Sequence, residues 1–279
     1  MLETKGGISP DWLLEVAYPP LDDIQLYAPD GRGGWAVQRA GDQLPFALRP
    51  VPHRNHVMPL KLNPGETHTL YVRVSSHGTV SAPILLWRPS ALWAHDQAAY
   101  AALSLYFGLL AGLLLYNLLL FVAVRDSAYL IYVAFVGGMA VAQAALTGLG
   151  AQFLWPQWVW WNTVSPPAGM AIAATFGVQF ARVFLASATR MPQLDRGLKA
   201  LVVAWAVTLL VALGLPYVYS SWMTTVLSVA TVSLLLVVGG VSVRRAHPGA
   251  WPFVAAWAVL LLGVSLLMLH NTGWLPSNP

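Results

Sequence analysis

Hydrophobic and polar positions divide the chain into two regions with different periodicities. Up to about residue 95, short apolar runs are separated by clusters of Pro, Gly, Asp and Asn. In one such run Leu70, Val72 and Val74 alternate with Tyr71 and Arg73, a period of two that is typical of a half-buried strand. Beyond residue 100 the apolar stretches become much longer. The pattern predicts a β domain over residues 1–95 and a helical domain over residues 96–279.

The first region contains seven runs that we predict to be strands. Short strands in about this number, with turn residues between them, are typical of a β-sandwich. The domain is expected to lack its beginning, because residues 1–10 lead almost directly into the first run. The predicted strands are Trp12–Tyr18, Ile24–Tyr27, Trp35–Arg39, Phe46–Arg49, Val57–Leu62, Leu70–Ser75 and Ile84–Arg88.

The second region contains six apolar stretches that are long enough, or nearly so, to cross a hydrocarbon core of about 30 Å. Helices are the expected form, because a segment in lipid must satisfy its own backbone hydrogen bonds. The predicted fold is therefore a multi-domain membrane protein, an all-β sandwich followed by an all-α transmembrane bundle. The predicted spans lie near residues 102–124, 128–147, 165–186, 199–215, 221–243 and 251–270.

Composition supports a membrane protein. Of the 279 residues, 57% are hydrophobic and 9% are charged, whereas soluble domains carry about 25% charged residues. The absence of cysteine excludes disulfides, thiolate metal ligands and a cysteine nucleophile. The net charge of +4 is not gathered on a soluble face, so nucleic acid is not an expected partner.

The basic residues of the helical region predict its orientation. With the β domain outside the cytoplasm, all of them fall at or near cytoplasmic loops, which agrees with the positive-inside rule. We therefore expect a multi-pass protein of a bacterial inner membrane with a periplasmic β domain. The expected cytoplasmic anchors are Arg125, Arg182, Arg190, Arg196, Lys199, Arg244 and Arg245.

Several motifs carry a resemblance to a known family. Tyr106–Phe121 (YFGLLAGLLLYNLLLF) is followed by an Arg125-Asp126 turn and a Tyr129-x-x-Tyr132 pair. This pattern resembles the bacterial seven-transmembrane receptors with diverse intracellular signalling modules. Leu21–Tyr27, Gly41–Phe46 and Thr69–Ser75 are similar to motifs of their type 2 extracellular sensor domain.

The resemblance implies a jelly-roll-like periplasmic sensor, seven helices and a cytoplasmic output module such as a diguanylate cyclase or histidine kinase. Six helices are predicted here and no signal peptide is seen in residues 1–30, so we expect a piece of a longer protein. The expected partners are membrane lipids, an unknown periplasmic small molecule, the output module in cis and a second copy in a homodimer. No enzymatic activity and no cofactor are expected of this chain.

Candidate ligand contacts lie among the aromatic residues of the β domain, because sugar-binding sandwiches stack rings against pyranose faces. We select Trp35, Tyr71 and Trp87, with a place in the core or an interface as the alternative. His53 and His56 have a spacing that occurs in metal sites, but no thiolate or carboxylate nearby completes a set. No metal site is expected.

A second group of candidates lies within the predicted spans. Gly108 and Gly112 form a Gly-x-x-x-Gly pair, which allows close helix approach either within the bundle or in a dimer. The polar side chains of Tyr116, Asn117, Gln143 and Gln179 would either bond between helices or line a ligand cavity.

Two other classes of function compete with a receptor. A transporter or channel subunit with an accessory domain would be expected to place ionisable residues near the midplane, and none is predicted there. An intramembrane enzyme would need a nucleophile and base or a metal cluster at membrane depth, and no such motif occurs. The sequence therefore favours a receptor, with the transporter or channel subunit as the alternative.

Overall fold

The computed structural model describes residues 2–3, 11–30, 33–63, 65–78 and 80–245, together with residues 250–252, 254–255 and 258. Strands precede helices along the chain, as the sequence predicts. The predicted sixth span, residues 251–270, falls almost entirely outside the described residues.

The β domain consists of two three-stranded antiparallel sheets and one short strand pair. The sheets have the orders β5-β2-β8 and β4-β3-β7, and β1 pairs with β6. The strands are β1 (Leu2–Glu3), β2 (Asp11–Val16), β3 (Asp23–Pro29), β4 (Trp35–Ala40), β5 (His56–Lys61), β6 (Thr67–His68), β7 (Tyr71–Ser75) and β8 (Ile84–Trp87).

The two larger sheets enclose a common apolar core. Val16 of β2, Ile24 and Leu26 of β3, and Met58 of β5 are fully buried in one cluster. Because successive strand side chains point to opposite faces, β2, β3, β5 and β7 contribute alternate residues to this core. The predicted β-sandwich is confirmed.

The prediction of a strand at Phe46–Arg49 is wrong. Phe46–Leu48 form a 3-10 turn, in which the amide of Leu48 donates to the carbonyl of Pro45. Pro45 has a fixed φ and no N–H, and it starts a turn more readily than it continues a ladder. After the turn, Arg49 lies near residues of the helical region, among them Gly148 and Asn162.

The helical region contains six α-helices and one π-helical turn among the described residues. Four of the helices, α1, α2, α5 and α6, are long and apolar enough to cross a membrane. The elements are α1 (Pro89–Val124), α2 (Ser127–Leu146), the π turn (Gly150–Leu154), α3 (Val159–Phe184), α4 (Ser187–Arg190), α5 (Pro192–Gly214) and α6 (Tyr217–Arg244).

Helix α1 starts well before the predicted first span. Pro89 occupies the first turn, where a missing N–H is tolerated, and the helix continues for 36 residues. At 1.5 Å per residue it is about 54 Å long, which exceeds the hydrocarbon core. The predicted domain boundary at residues 95 and 96 therefore falls inside α1, and its first turns lie beside the β domain.

Helix α3 is central to the bundle and packs closely on α2. A Cβ on Gly138 of α2 would lie 2.5 Å from the backbone nitrogen of Ala173, and a Cβ on Gly169 of α3 would lie 2.5 Å from that of Ala142. Such contacts are possible only for glycine, and they bring the two helix backbones together. A second core cluster joins α3, α5 and α6 around the buried Trp205.

Candidate functional site

The β domain and the helices meet in a polar contact region that we call the junction. On the β side it contains Glu15, residues 19–22, 42–56 and 76–78, and Trp87. On the helical side it contains residues 93–100 of α1, residues 148–163 and Tyr217 of α6. Its contacts are buried hydrogen bonds and close backbone approaches.

The most buried contact of the junction joins His53 to Asp96 of α1. Nε2 of His53 lies 2.7 Å from Oδ2 of Asp96, and the two side chains are 1% and 5% exposed. Nδ1 of His53 accepts the backbone N–H of Asn55, so the proton of a neutral ring is on Nε2, which donates to the carboxylate. The rings of Trp93 and Tyr100 pack edge-on against the imidazole. This pair ties the loop before β5 to the first turns of α1.

The same loop is held to the centre of the first sheet by Glu15. The buried carboxylate of Glu15 accepts hydrogen bonds from Asn55 Nδ2 at 2.6 Å and from Trp87 Nε1 at 2.7 Å. The Trp87 ring also stacks on His95 of α1, with 5.1 Å between ring centroids. Trp87 thus lies at the junction and contributes nothing to an exposed aromatic surface.

The connection between α2 and α3 forms the next part of the junction. Gly148 has a φ of +76°, and a Cβ there would lie 2.3 Å from the carbonyl oxygen of Arg54. The Arg54 guanidinium lies over the Tyr100 ring at 5.7 Å, and the Tyr100 hydroxyl donates to Gln152 at 2.8 Å. Backbone and side-chain contacts therefore fix this connection against the β domain.

The third part of the junction is the start of α3. Asn162 Nδ2 donates to the backbone oxygen of Asp42 at 3.1 Å, and Gln43 Nε2 donates to Thr163 Oγ1 at 3.3 Å. Gly41 has a φ of +143° and lies against the backbone oxygen of Asp22, where a side chain would not fit. This conformation turns the chain after β4 so that Asp42 faces α3.

Charged groups at the junction are strongly affected by burial. Burial raises the pKa of Asp42 to about 7, an effect that Asp22 increases and that Arg49 and His77 reduce. Burial lowers the pKa of Arg49 to about 10, with a smaller opposite effect from Asp42. Burial and the positive charge of Arg49 lower the pKa of His56 to about 3, so His56 is neutral near pH 7.

Aromatic side chains form a separate surface at the far end of the β domain. The rings of Trp35 and Tyr71 are in edge contact, with centroids 5.2 Å apart and 67° between the planes. With Tyr27 they line a shallow depression of about 460 Å³. Tyr27 and Tyr71 are direct cross-strand partners, and the Trp35 and Tyr71 side chains are about half exposed. The structure brings Trp35 and Tyr71 together, and we call this group the aromatic surface.

The order of the two parts and their sequence patterns identify the family. Residues 99–279 match the model of the 7TM diverse intracellular signalling domain, and residues 2–88 match that of the 7TMR-DISM extracellular 2 domain. The chain belongs to the seven-transmembrane receptors with diverse intracellular signalling. It is thus a multi-pass membrane protein with an extracellular sensor domain. Neither a curated protein nor a solved structure matches the chain.

Within this receptor, the predicted small-residue pair of α1 does not mediate close packing among the described residues. A Cβ on Gly108 or Gly112 would have no neighbour within 4 Å, and the side chain of Tyr116 is 60% exposed. Asn117 Nδ2 donates to the carbonyl of Leu113 in its own helix at 2.8 Å. Close helix approach occurs instead at Gly138 of α2 and at Gly169 of α3.

The predicted amides of α2 and α3 have different surroundings. Gln143 of α2 is partly buried, and its backbone oxygen accepts the Thr147 hydroxyl at 2.7 Å. Oε1 of Gln179 on α3 accepts Nη1 of Arg182 at 2.6 Å. Gln179 therefore belongs to a polar cluster at the end of the bundle that faces away from the β domain.

That cluster joins α3 to α5. The guanidinium of Arg182 donates to both carboxylate oxygens of Asp195, at 2.9 and 3.2 Å, and the Ser187 hydroxyl donates to the same carboxylate at 2.6 Å. The Arg182 side chain is 15% exposed, and Lys199 approaches Asp195 at 3.3 Å. Arg182 does not extend outward as a lipid anchor, because its charge is bound inside the protein.

The other predicted anchors lie at the same end of the bundle. Arg125 caps the C-terminus of α1 with a φ of 61°, and Arg245 donates to the backbone oxygen of Arg190. The side chains that are exposed to the surroundings are those of Arg125, Arg190, Arg196, Lys199, Arg244 and Arg245.

Sequence reasoning missed most residues of the junction. Asp42, Arg49, Asn55 and Glu15 are polar residues of a β domain, and nothing in their spacing marks them as buried. Asp96 could have been recognised from the sequence as a candidate, since it is the one carboxylate in the 36 residues of α1. The spacing of His53 and His56 drew attention to metal binding and gave no sign of the contact with Asp96. Among the described residues, no group of three potential metal ligands lies together.

Proposed function

We propose that this chain is the sensing and transmembrane part of a bacterial inner-membrane receptor. Its β domain binds a periplasmic solute with a carbohydrate-like ring face, and its helices transmit the event to a cytoplasmic output module. The observation that carries this proposal is the junction. A domain that served only as an accessory would not need a buried His53–Asp96 pair with the first spanning helix.

The aromatic surface is the proposed ligand site. Trp35 and Tyr71 offer flat apolar faces with polar edges, which suits a ring that is apolar on one face and hydroxylated at its rim. Oε1 of Gln25 accepts the Tyr27 hydroxyl at 2.7 Å, so an amide side chain lies at the border of the aromatic surface. The shallow shape of the depression suits an extended chain of rings better than a small enclosed solute.

The second sheet connects the ligand surface to the junction. Tyr27, Trp35 and Tyr71 lie toward one end of β3, β4 and β7, and the opposite ends lead directly to Asp22, Asp42 and His77. Each strand rises about 3.3 Å per residue, so the seven residues of β3 span about 20 Å. A tilt of this sheet on ligand binding would therefore move the residues that contact α3 and α6.

The basic end of the bundle is the proposed cytoplasmic side. The exposed arginines and Lys199 lie at the helix ends that are remote from the β domain, as the positive-inside rule requires for a periplasmic sensor. The proposed partners are membrane lipids, an output module in cis (a diguanylate cyclase or histidine kinase) and a second copy of the chain, because such outputs work as dimers.

Ligand binding is the experiment that tests this proposal. The full chain in lipid nanodiscs would be titrated calorimetrically with soluble oligosaccharides of different ring chemistry. We expect at least one to bind, and we expect Trp35→Ala to weaken it at least tenfold. Trp222→Ala is the matched control, because Trp222 is 70% exposed but lies on α6, outside the β domain and the junction. Equal binding by the Trp35→Ala variant would reject the aromatic surface as the site.

Orientation is tested by thiol labelling, which the absence of native cysteine makes specific. Val37→Cys in β4 should react with a membrane-impermeant maleimide added outside spheroplasts, whereas Arg196→Cys in α5 should react only after lysis. The reverse result would contradict the proposed topology.

A further inference from the structure

Two buried carboxylates of the junction, those of Asp42 and Asp96, have an oxygen without a hydrogen-bond partner among the described residues, and only Asp42 adjoins a cavity that the structure shows. Asp42 is 7% exposed, and its Oδ1 has no hydrogen-bond partner among the described residues. Its backbone is fixed from both sides, since its N–H donates to Leu21 and its carbonyl accepts from Asn162. The side chain is therefore held between the β domain and α3 and cannot easily turn toward solvent.

Two small cavities adjoin this carboxylate. One is lined by Asp42, Arg49, Gly148 and Asn162, among others, and the second by Asp42, Asp22 and Tyr217, among others. Each has about 10 Å³, which is close to the space that one water molecule needs. A proton can reach Asp42 through sites of this size, whereas a larger solute cannot.

The ionisable groups around Asp42 come from every element that packs on it. Asp22 precedes β3, His77 follows β7 and pairs with Asp22 at 2.6 Å, and Arg49 follows the 3-10 turn. Helix α6 contributes Tyr217, and the start of α3 contributes the non-ionisable Asn162 and Thr163. His56 lies behind Arg49, whose positive charge acts on it.

We propose that Asp42 is a proton-binding site that makes docking of the β domain on the helices depend on pH. When Asp42 is protonated, it is neutral and suits its buried position between Asp22 and α3. When it is ionised, a second negative charge lies beside Asp22 in a buried site with room for single water molecules at most, and the junction loosens. The proton would act as an input to the receptor that is independent of the aromatic surface.

The direction of the effect follows from linkage. The pKa of Asp42 is raised from 3.8 to about 7 in the docked structure, so the docked state binds the proton more tightly than a solvated Asp42 would. The contribution of Asp42 to docking is therefore fully present below pH 3.8, and it weakens as the pH rises, by up to about tenfold per pH unit. Above about pH 7 both states are ionised and the dependence ends.

Protonation can be measured directly by infrared difference spectroscopy on the full chain in nanodiscs. We expect the carbonyl stretch of a buried carboxylic acid at pH 5.5 and its loss with a midpoint near pH 7. The band should be absent in Asp42→Asn. It should persist in Asp23→Asn, which removes a carboxylate of the same domain that is paired with Arg39 near the surface. A missing band in the wild type, or an unchanged band in Asp42→Asn, would overturn the proposal.

Docking is measured by the distance between spin labels at Val37→Cys of β4 and Phe153→Cys of the π turn, both exposed positions. We expect a single narrow distance at pH 5.5 and a broader, longer distribution at pH 8. Asp42→Asn should keep the narrow distribution at both pH values, and His77→Gln should retain the pH response. Loss of the response in His77→Gln together with its survival in Asp42→Asn would assign it to the histidine and reject Asp42.

Discussion

Nε2 of His53 in the β domain lies 2.7 Å from Oδ2 of Asp96 in α1, and both side chains are almost completely shielded from solvent. The two residues are 43 positions apart in the sequence and belong to different parts of the protein. Because α1 continues without interruption from Asp96 to Val124, a displacement of His53 acts directly on a membrane-spanning helix. This bond connects the sensor domain directly to the first helix of the bundle.

Replacing Asp96 should therefore weaken the contact between the β domain and α1 and destabilise the protein. In Asp96→Ala the His53 ring loses its partner, and a buried polar group without a partner costs about 1–3 kcal/mol. We expect thermal unfolding in nanodiscs to shift to lower temperature and limited proteolysis of the β domain to become faster. Glu66→Gln is the control, because Glu66 is an exposed partner of His68 and such surface pairs contribute little. Equal stability of Asp96→Ala and wild type would show that the pair does not hold the junction.

Two neighbouring glycines of α2 should respond in opposite ways to substitution. A Cβ at Gly138 would meet the backbone of α3, whereas a Cβ at Gly137 would have no neighbour within 4 Å. We expect Gly138→Ala to lower the free energy of unfolding by about 1–3 kcal/mol through overpacking. Gly137→Ala should be neutral or raise it by up to about 1 kcal/mol, since Ala favours helix. Denaturant titration of both variants measures the difference, and a larger loss at Gly137 would contradict the α2–α3 packing.

The Arg182–Asp195 pair should stabilise the contact between α3 and α5. Asp195 is buried and accepts from Arg182 and Ser187, so Asp195→Asn leaves the guanidinium without its counter-ion. Breaking a buried pair in this way costs about 3–5 kcal/mol. We expect Asp195→Asn to lower the free energy of unfolding. Arg182→Lys, which keeps Asp195 and the positive charge, should recover only part of this loss, because an ammonium cannot donate the same two parallel hydrogen bonds.

The control for this pair is Arg196→Gln, which removes an exposed charge next to Asp195 in the sequence. That variant should be within about 0.5 kcal/mol of wild type. If Arg196→Gln and Asp195→Asn lowered the free energy of unfolding by similar amounts, the cause would be a general effect of charge at this end of the bundle. The specific bond between Arg182 and Asp195 would then be rejected as the cause.

The positions of the elements could be predicted well, but the residues that join them could not. Leu26 and Val72 carry the period of two, and their strands pair in the second sheet. Phe46–Arg49 was wrongly predicted as a strand because four residues carry too little periodicity, while Pro45 and the contact of Phe46 with Pro156 select a turn. The apolar stretch predicted near residues 102–124 lies within α1, which begins earlier, at Pro89, because a helix can extend beyond the apolar segment that marks a span.

For the candidate sites too, the sequence indicated residue types, and the tertiary structure decided which residues are in contact. Trp35 and Tyr71 could be selected as aromatic residues near turns, but only strand register places them in contact. Trp87 has the same chemistry and lies at the junction, because β8 pairs with β2 beside Glu15. Gly108 and Gly112 have a motif typical of close packing, yet the helix that approaches most closely does so at Gly138.

By itself the sequence predicted the division into a region of strands and a region of long apolar helices, and it predicted the end of the bundle at which the basic residues lie. Those properties depend on the summed hydrophobicity and charge of continuous segments, which can be read directly from the order of residues in the chain. Tertiary structure alone decided that Asp42 is buried against α3 and that His53 and Asp96 are buried together. Their burial results from contacts between residues far apart in the chain, and a polar residue carries no local mark of whether a distant helix will cover it.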